Sequence, residues 1–103
     1  MVLYQGDDLQ AFNGSPIEIN LITEDGEPLP EISKAIFSIN NETITKEFEN
    51  PEFPIYVELD SEDTIKLSYK NTGRLILWDT SNRKLTIDET LEFIALPEVY
   101  HGE

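Results

Sequence analysis

An antiparallel β-sandwich of about seven strands with one short helical turn is the fold this sequence predicts. Three observations predict it. Apolar residues alternate with polar ones in short runs rather than at helical spacing. Turn residues (Gly, Pro, Asn, Asp) interrupt these runs at short intervals. At 103 residues and 39% hydrophobic content, the chain suffices for one small core and is too apolar for an acidic disordered tail. The predicted organisation is a single domain over 1–103, with the sandwich over about 4–96 and a C-terminal arm over 97–103.

The elements follow in order. Ile17, Ile19 and Leu21 alternate with Glu18 and Asn20, a half-buried strand. Glu24-Asp25-Gly26-Glu27-Pro28 is a turn: Asp-Gly supplies positive φ and Pro28 resists extending the strand. Residues 34–40 form a strand with Ala35, Phe37 and Ile39 on one face, and Ile36 on the other signals partial cover there too. Asn40-Asn41-Glu42 turns the chain, and 43–48 return with Ile44, Lys46 and Phe48 on one side. Pro51 and Pro54 rule out regular pairing and mark a loop or crossover. Ile55, Val57 and Leu59 alternate with Tyr56 and Glu58 as the next strand.

Asp60-Ser61-Glu62-Asp63-Thr64 is the one helical stretch: Asp60 or Ser61 caps it, and acids suit its first turn. One or two turns are expected, with Ile65 and Leu67 packing inward, Tyr69 close by and an end near Asn71-Thr72-Gly73. Arg74–Asp79 is a strongly apolar strand. Thr80-Ser81-Asn82 is a turn, 83–87 return, and Thr90–Leu96 is a separate last strand. The predicted core is Ile17, Ile19, Leu21, Phe37, Ile39, Val57, Leu59, Leu75, Leu77, Leu91 and Phe93.

Composition narrows function. The chain has 21 Asp and Glu against 7 Lys and Arg, a net charge of -14, and no cysteine. The acids are spread evenly, ten in residues 1–50 and eleven in 51–103, so no segment is a detachable acidic tail. This balance speaks against nucleic-acid binding by phosphate neutralisation. The one histidine, His101, lies in the expected arm, and no serine sits in a nucleophile-elbow context, so no enzyme is expected. The longest apolar run, Leu75-Ile76-Leu77-Trp78, is far short of the ~20 residues of a membrane helix. The Met1-Val2-Leu3-Tyr4 start reads as too short, and without the basic flank, for a signal peptide.

Asp7-Asp8, Glu24-Asp25-Glu27 and Asp60-Glu62-Asp63 offer oxygen ligands that would suit Ca²⁺, but none has EF-hand spacing, and turn and cap duties account for these residues. No metal and no cofactor are expected. Arg83-Lys84, with Arg74, reads either as ion-paired strand residues or as a small basic docking spot on an acidic protein. Trp78 reads as core rather than ligand platform. Val2, Leu3 and Tyr4 at one end, and Val99 and Tyr100 at the other, read equally as edge strands or as arms that insert into a neighbouring subunit.

The layout resembles a known family. Its order is Tyr4-Gln5-Gly6-Asp7-Asp8-Leu9, the turn with Gly26 and Pro28, then Lys34-Ala35-Ile36-Phe37-Ser38-Ile39. Phe53-Pro54-Ile55-Tyr56-Val57-Glu58-Leu59, Ser61-Glu62-Asp63-Thr64, Leu67, Trp78-Asp79 and Arg83-Lys84-Leu85-Thr86 follow. This resembles the small immunoglobulin-like domains of tailed-phage virion proteins, above all the N-terminal domain of baseplate upper proteins and short prophage proteins of similar layout. The resemblance implies an immunoglobulin-like sandwich acting as a tail or baseplate assembly module, with other phage structural proteins as partners. It implies residence in the virion, or in host cytoplasm before assembly, and carries no active site. For a chain of this length it implies a small accessory structural protein. The charge suggests two alternatives: an acidic DNA-mimic decoy that occupies a nucleic-acid-binding host protein, or a calcium-stabilised surface domain.

Overall fold

The computed structural model describes residues 2–10, 17–21 and 30–97. These form an all-β, sandwich-like domain with one helical turn. Its elements are β1 (Val2–Tyr4), β2 (Ile17–Ile19), β3 (Ile32–Ile39), β4 (Ile44–Glu49), β5 (Ile55–Val57), α1 (Ser61–Thr64), β6 (Lys70–Asp79) and β7 (Lys84–Leu96). One sheet has the order β1-β7-β6-β3-β4, and β2 pairs with β5 in the other. That is immunoglobulin-like order: β7-β6-β3-β4 stand as G, F, C and C′, and β2-β5 as B and E. The pairs are antiparallel except β1 with β7, which is parallel. The fully antiparallel expectation fails there because β1 enters the sheet at its far edge.

The segment around Pro51 and Pro54 is the crossover between sheets that its prolines suggested, carrying the chain from β4 to β5. The turn over 24–28 and, apart from Pro97, the arm over 97–103 lie outside the described residues.

Period-2 alternation builds the core. On β3, Ala35, Phe37 and Ile39 are fully buried, and on β6 Leu75 and Leu77 face the same way. Ile17, Ile19, Ile55 and Val57 close the core from the two-stranded sheet. Leu3, Ile44, Leu59, Leu67, Phe93 and Ala95 complete it. Two expected core residues, Leu21 and Leu91, are only partly buried. Leu21 lies beyond the end of β2, and Leu91 borders an irregularity in β7.

That irregularity corrects another expectation. Residues 83–87 and 90–96 are not two strands: β7 runs unbroken from Lys84 to Leu96. Gly73 pairs with Leu91, and Leu75 with Ile87, so β7 spends four residues where β6 spends two. The surplus is even, so the bulge leaves Ile87 and Leu91 on one face. The polar Asp88-Glu89 step that looked like a strand end is the bulge.

The helical stretch has one turn, within the expected one or two, but it ends at Thr64 rather than near Asn71-Thr72-Gly73. α1 is a single turn with a reciprocal cap: Asp63 N–H donates to the Asp60 carboxylate (2.9 Å), and Asp60 N–H donates to Asp63 Oδ2 (3.2 Å). After it, Lys66 and Leu67 N–H donate to Asp63 and Thr64 O, three residues back, and Asn71 holds Ser68. The Asn71 amide donates to Ser68 O (2.7 Å) and accepts from Ser68 N–H (2.9 Å), setting a turn that opens β6 at Lys70. Leu67 is buried, whereas Ile65 and Tyr69 are exposed.

Asn71 is 1% exposed and fully satisfied. Its Oδ1 also accepts from Asn40 Nδ2 (2.7 Å), and Asn40 Oδ1 accepts from Thr72 N–H (3.1 Å). This ties the β3–β4 turn to the start of β6. In that turn Asn41 and Glu42 both have positive φ (54° and 72°), as the preferred hairpin turn requires, and Thr43 N–H closes it on Asn40 O.

Gly73 marks a close approach in the core. A Cβ there would lie 2.8 Å from both Cε1 and Cζ of Phe37. Gly73→Ala is therefore expected to lower stability by about 1–3 kcal/mol through overpacking. Phe37→Leu should recover part of the loss in a double-mutant cycle read by urea unfolding. Equal losses with and without Phe37→Leu would show that the ring is not the cause. Glu42→Gly is expected to raise stability by about 0.5–1 kcal/mol by relieving left-handed backbone, read as a higher urea midpoint at unchanged m-value.

Candidate interaction surfaces

The chain's first residues are not a free arm. β1 pairs with the end of β7, Val2 opposite Ile94 and Tyr4 opposite Leu96. Leu3 is 6% exposed and belongs to the core, while Val2 and Tyr4 point outward and are 54% and 40% exposed. The following segment is tied down too. Gln5 N–H donates to Leu96 O (2.9 Å), Leu9 and Gln10 N–H donate to Leu59 O, and buried Thr64 donates its hydroxyl to Asp7 O (2.7 Å). Val99 and Tyr100 lie outside the described residues.

The expected basic spot divides. Arg83 sits in the β6–β7 turn, its guanidinium Nε 2.7 Å from Asp79 Oδ2. The same carboxylate accepts from Ser81 and Arg83 N–H (2.9 and 2.8 Å). The Arg83 backbone hydrogen bond, opposed by desolvation and helped by the Arg83 side chain and Ser81 N–H, holds the Asp79 carboxyl below its ordinary pKa. Arg74 and Lys84, by contrast, share the outer face of the five-stranded sheet. Arg74 pairs with Asp88 of the β7 bulge.

That outer face gathers residues the sequence reading left scattered. Across it, Lys84, Trp78, Lys34 and Glu49 form one register row, and Thr86, Ile76, Ile36 and Glu47 the next. Trp78 is not in the core as expected. It is half-buried on this outer face because its β6 neighbour Leu77 takes the inward position. Lys34 Nζ lies 5.4 Å from the Trp78 ring centroid and 3.0 Å from Glu47 Oε1. Ile36 and Ile76 are half-buried beside it. The signal was present in Ile36, an apolar residue on the outward side of a strand. Lys34, Glu47 and Glu49 carried no such signal.

The face also differs in charge. By strand alternation its described side chains include Lys34, Lys70, Arg74 and Lys84 together with Glu47, Glu49, Asp88 and Glu92, and these sum to no net charge. The other residues with described side chains carry eleven acids and three bases.

Of the three acidic loops, the stretch at α1 uses two of its carboxylates as caps. Asp60 and Asp63 cap α1, and Lys46 Nζ lies 2.6 Å from Asp63 Oδ2. Glu24, Asp25 and Glu27 lie outside the described residues. Among the described residues no group of three or more His, Asp or Glu converges to hold a metal ion. No helix among them is long and apolar enough to cross a membrane.

Comparison with protein-family models, curated proteins and solved structures gives no match.

The Lys46–Asp63 contact has a pH signature. Burial works to raise the Asp63 pKa, but hydrogen bonds from Lys46 and Asp60 N–H and the charge of Lys46 outweigh it, so the carboxyl titrates below 3.8. A lowered folded pKa contributes stability that is present above the unfolded value and lost as pH falls through the folded one. Lys46→Met is therefore expected to cost about 1 kcal/mol at pH 7, a gap that closes below about pH 4. Urea midpoints measured from pH 7 to pH 2.5 test this, and a pH-independent gap would assign the loss to packing of the lysine stem.

Proposed function

We propose that this domain is a non-enzymatic assembly module that works by protein–protein contact, and that its setting is a phage or prophage virion, associated with the tail or baseplate. The observation that carries the contact reading is the outer face of the five-stranded sheet. It holds a half-buried tryptophan and two half-buried isoleucines inside a balanced ring of charge, on a chain whose net charge is -14. Around these residues an approaching protein meets apolar area whose described carboxylates are matched by bases. The virion setting is supported by the chain's layout, from Tyr4-Gln5-Gly6-Asp7-Asp8 through Arg83-Lys84-Leu85-Thr86, which resembles small phage domains, and by the immunoglobulin-like strand order.

The charge separation also favours a second reading. An acidic decoy for a nucleic-acid-binding protein needs its carboxylates displayed together, and the described residues off this face carry eleven acids against three bases.

The readings separate experimentally. An assembly module is expected to co-sediment with purified tail or baseplate particles at a fixed copy number, and Trp78→Ala is expected to weaken that association about tenfold or more. Protein that stays in the particle-free fraction at every stage of assembly overturns the virion setting. Tight binding to a DNA-binding protein, lost at moderate salt and indifferent to Trp78→Ala, would support the decoy instead.

A further inference from the structure

We propose that the outer face of the five-stranded sheet pairs with the same face of a second copy of this chain, forming a two-fold symmetric dimer. The inference rests on the contact reading above and names its partner. Two observations carry it: the charge balance of the face and the order of residues across it.

Charge selects the partner. Two chains of net charge -14 repel over most orientations. Among residues with described side chains, acids outnumber bases eleven to three off this face, whereas on it four bases meet four acids. Among the described residues, this face lets two copies meet without stacking carboxylate on carboxylate.

Register supplies the complementarity. Strand order places β7 and β4 on either side of the central β6–β3 pair. A two-fold axis lying parallel to the strands between β6 and β3 exchanges β6 with β3 and β7 with β4. In the first register row, Lys84-Trp78-Lys34-Glu49, it sets Lys84 over the partner's Glu49 and Trp78 over the partner's Lys34. In the second row it sets Ile76 over the partner's Ile36. The rotation thus yields opposite charges at both edges, a cation on each indole and apolar contact at the centre. Each contact occurs twice, as an isologous interface demands. Facing sheets pack about 10 Å apart with strands within about 30° of alignment, which keeps these rows in register near the axis.

The patch is small. Four strands at about 4.8 Å and about five residues at about 3.4 Å give a footprint of roughly 20 by 17 Å on each copy. That is the scale of a weak, transient contact, so self-association is expected to set in near about 0.1 mM. Raising salt from about 0.01 to 0.15 M is expected to strengthen it, because screening removes repulsion between the two acidic bodies more than it weakens ion pairs in contact. A basic partner would show the opposite sign.

The test is sedimentation equilibrium of the full chain, at up to about 1 mM and across that salt range. Lys84→Glu places like charges together twice in the dimer and is expected to weaken it about tenfold or more. Lys84→Glu combined with Glu49→Lys reverses the pair and is expected to restore the affinity to within about threefold. Lys66→Glu makes the same change in net charge at an exposed site off this face and is expected to leave the affinity within about twofold. Lys84 and Glu49 are both exposed, so these variants fold as the parent does. Three results would overturn the proposal: a monomer at every concentration and salt, a Lys84→Glu variant that dimerises like the parent, or a charge swap that fails to restore. A strictly monomeric chain that still binds particles through Trp78 would retain the contact reading and remove self-pairing alone. An intact dimer absent from particles would remove only the virion setting.

Discussion

The Phe37 ring occupies the space that Gly73 leaves open, and the middle of the sandwich is arranged around that contact. Phe37 is wholly buried on β3, while Gly73 lies on the neighbouring β6 with Leu91 of β7 on its other side. One close approach therefore brings together side chains of three central strands, whose spacing the backbone hydrogen bonds set. The chain has no cysteine, so no disulfide shares this task. Side chains in a dense interior have little room to relax, and a single added carbon at Gly73 would be felt by the largest fully buried residue of the core.

Polar groups do at the ends of the core what Phe37 does at its centre. Buried Asn71 joins the loop after α1, the β3–β4 turn and, more distantly, β7 through Phe93 O. Each of its groups is used, so its burial does not leave an unmet hydrogen bond in low dielectric. The Asp60–Asp63 cap and Lys46 close another edge by tying β4 to α1, and Thr64 holds the first residues of the chain against the same turn. Asp60, Asp63 and Asp79 are enlisted locally, as cap and turn acceptors.

Function follows from how the sheet sorts charge. Alternation sends Phe37, Leu75 and Leu77 inward and, by the same geometry, puts Lys34, Ile36, Ile76 and Trp78 on the other side. An even-numbered bulge in β7 keeps that sorting intact along the longest strand and places Asp88 beside Arg74. The result is a neutral, partly apolar face on an acidic body. Such a surface suits recognition by shape and charge pattern, and it is the basis of the assembly proposal.

Strand alternation, turn chemistry and the cap were legible in the sequence because each depends on residues close together in the chain. They located most strands, the tight turn at Asn40-Asn41-Glu42, the crossover at Pro51 and Pro54 and the helical turn. The isolated outward Ile36 was a true sign of the outer face. Tertiary structure decided the rest. It joined two apparent strands across the bulge at Asp88, because pairing with β6 continues on both sides of it. It ended the helical stretch at Thr64 rather than near Asn71-Thr72-Gly73, and Asn71 holds Ser68 in a turn that opens β6. It turned Val2–Tyr4 into an edge strand parallel to β7 and moved Trp78 to the outer face. The row Lys84-Trp78-Lys34-Glu49 was illegible because its members lie on four strands, far apart in the chain, and only sheet order and register bring them side by side.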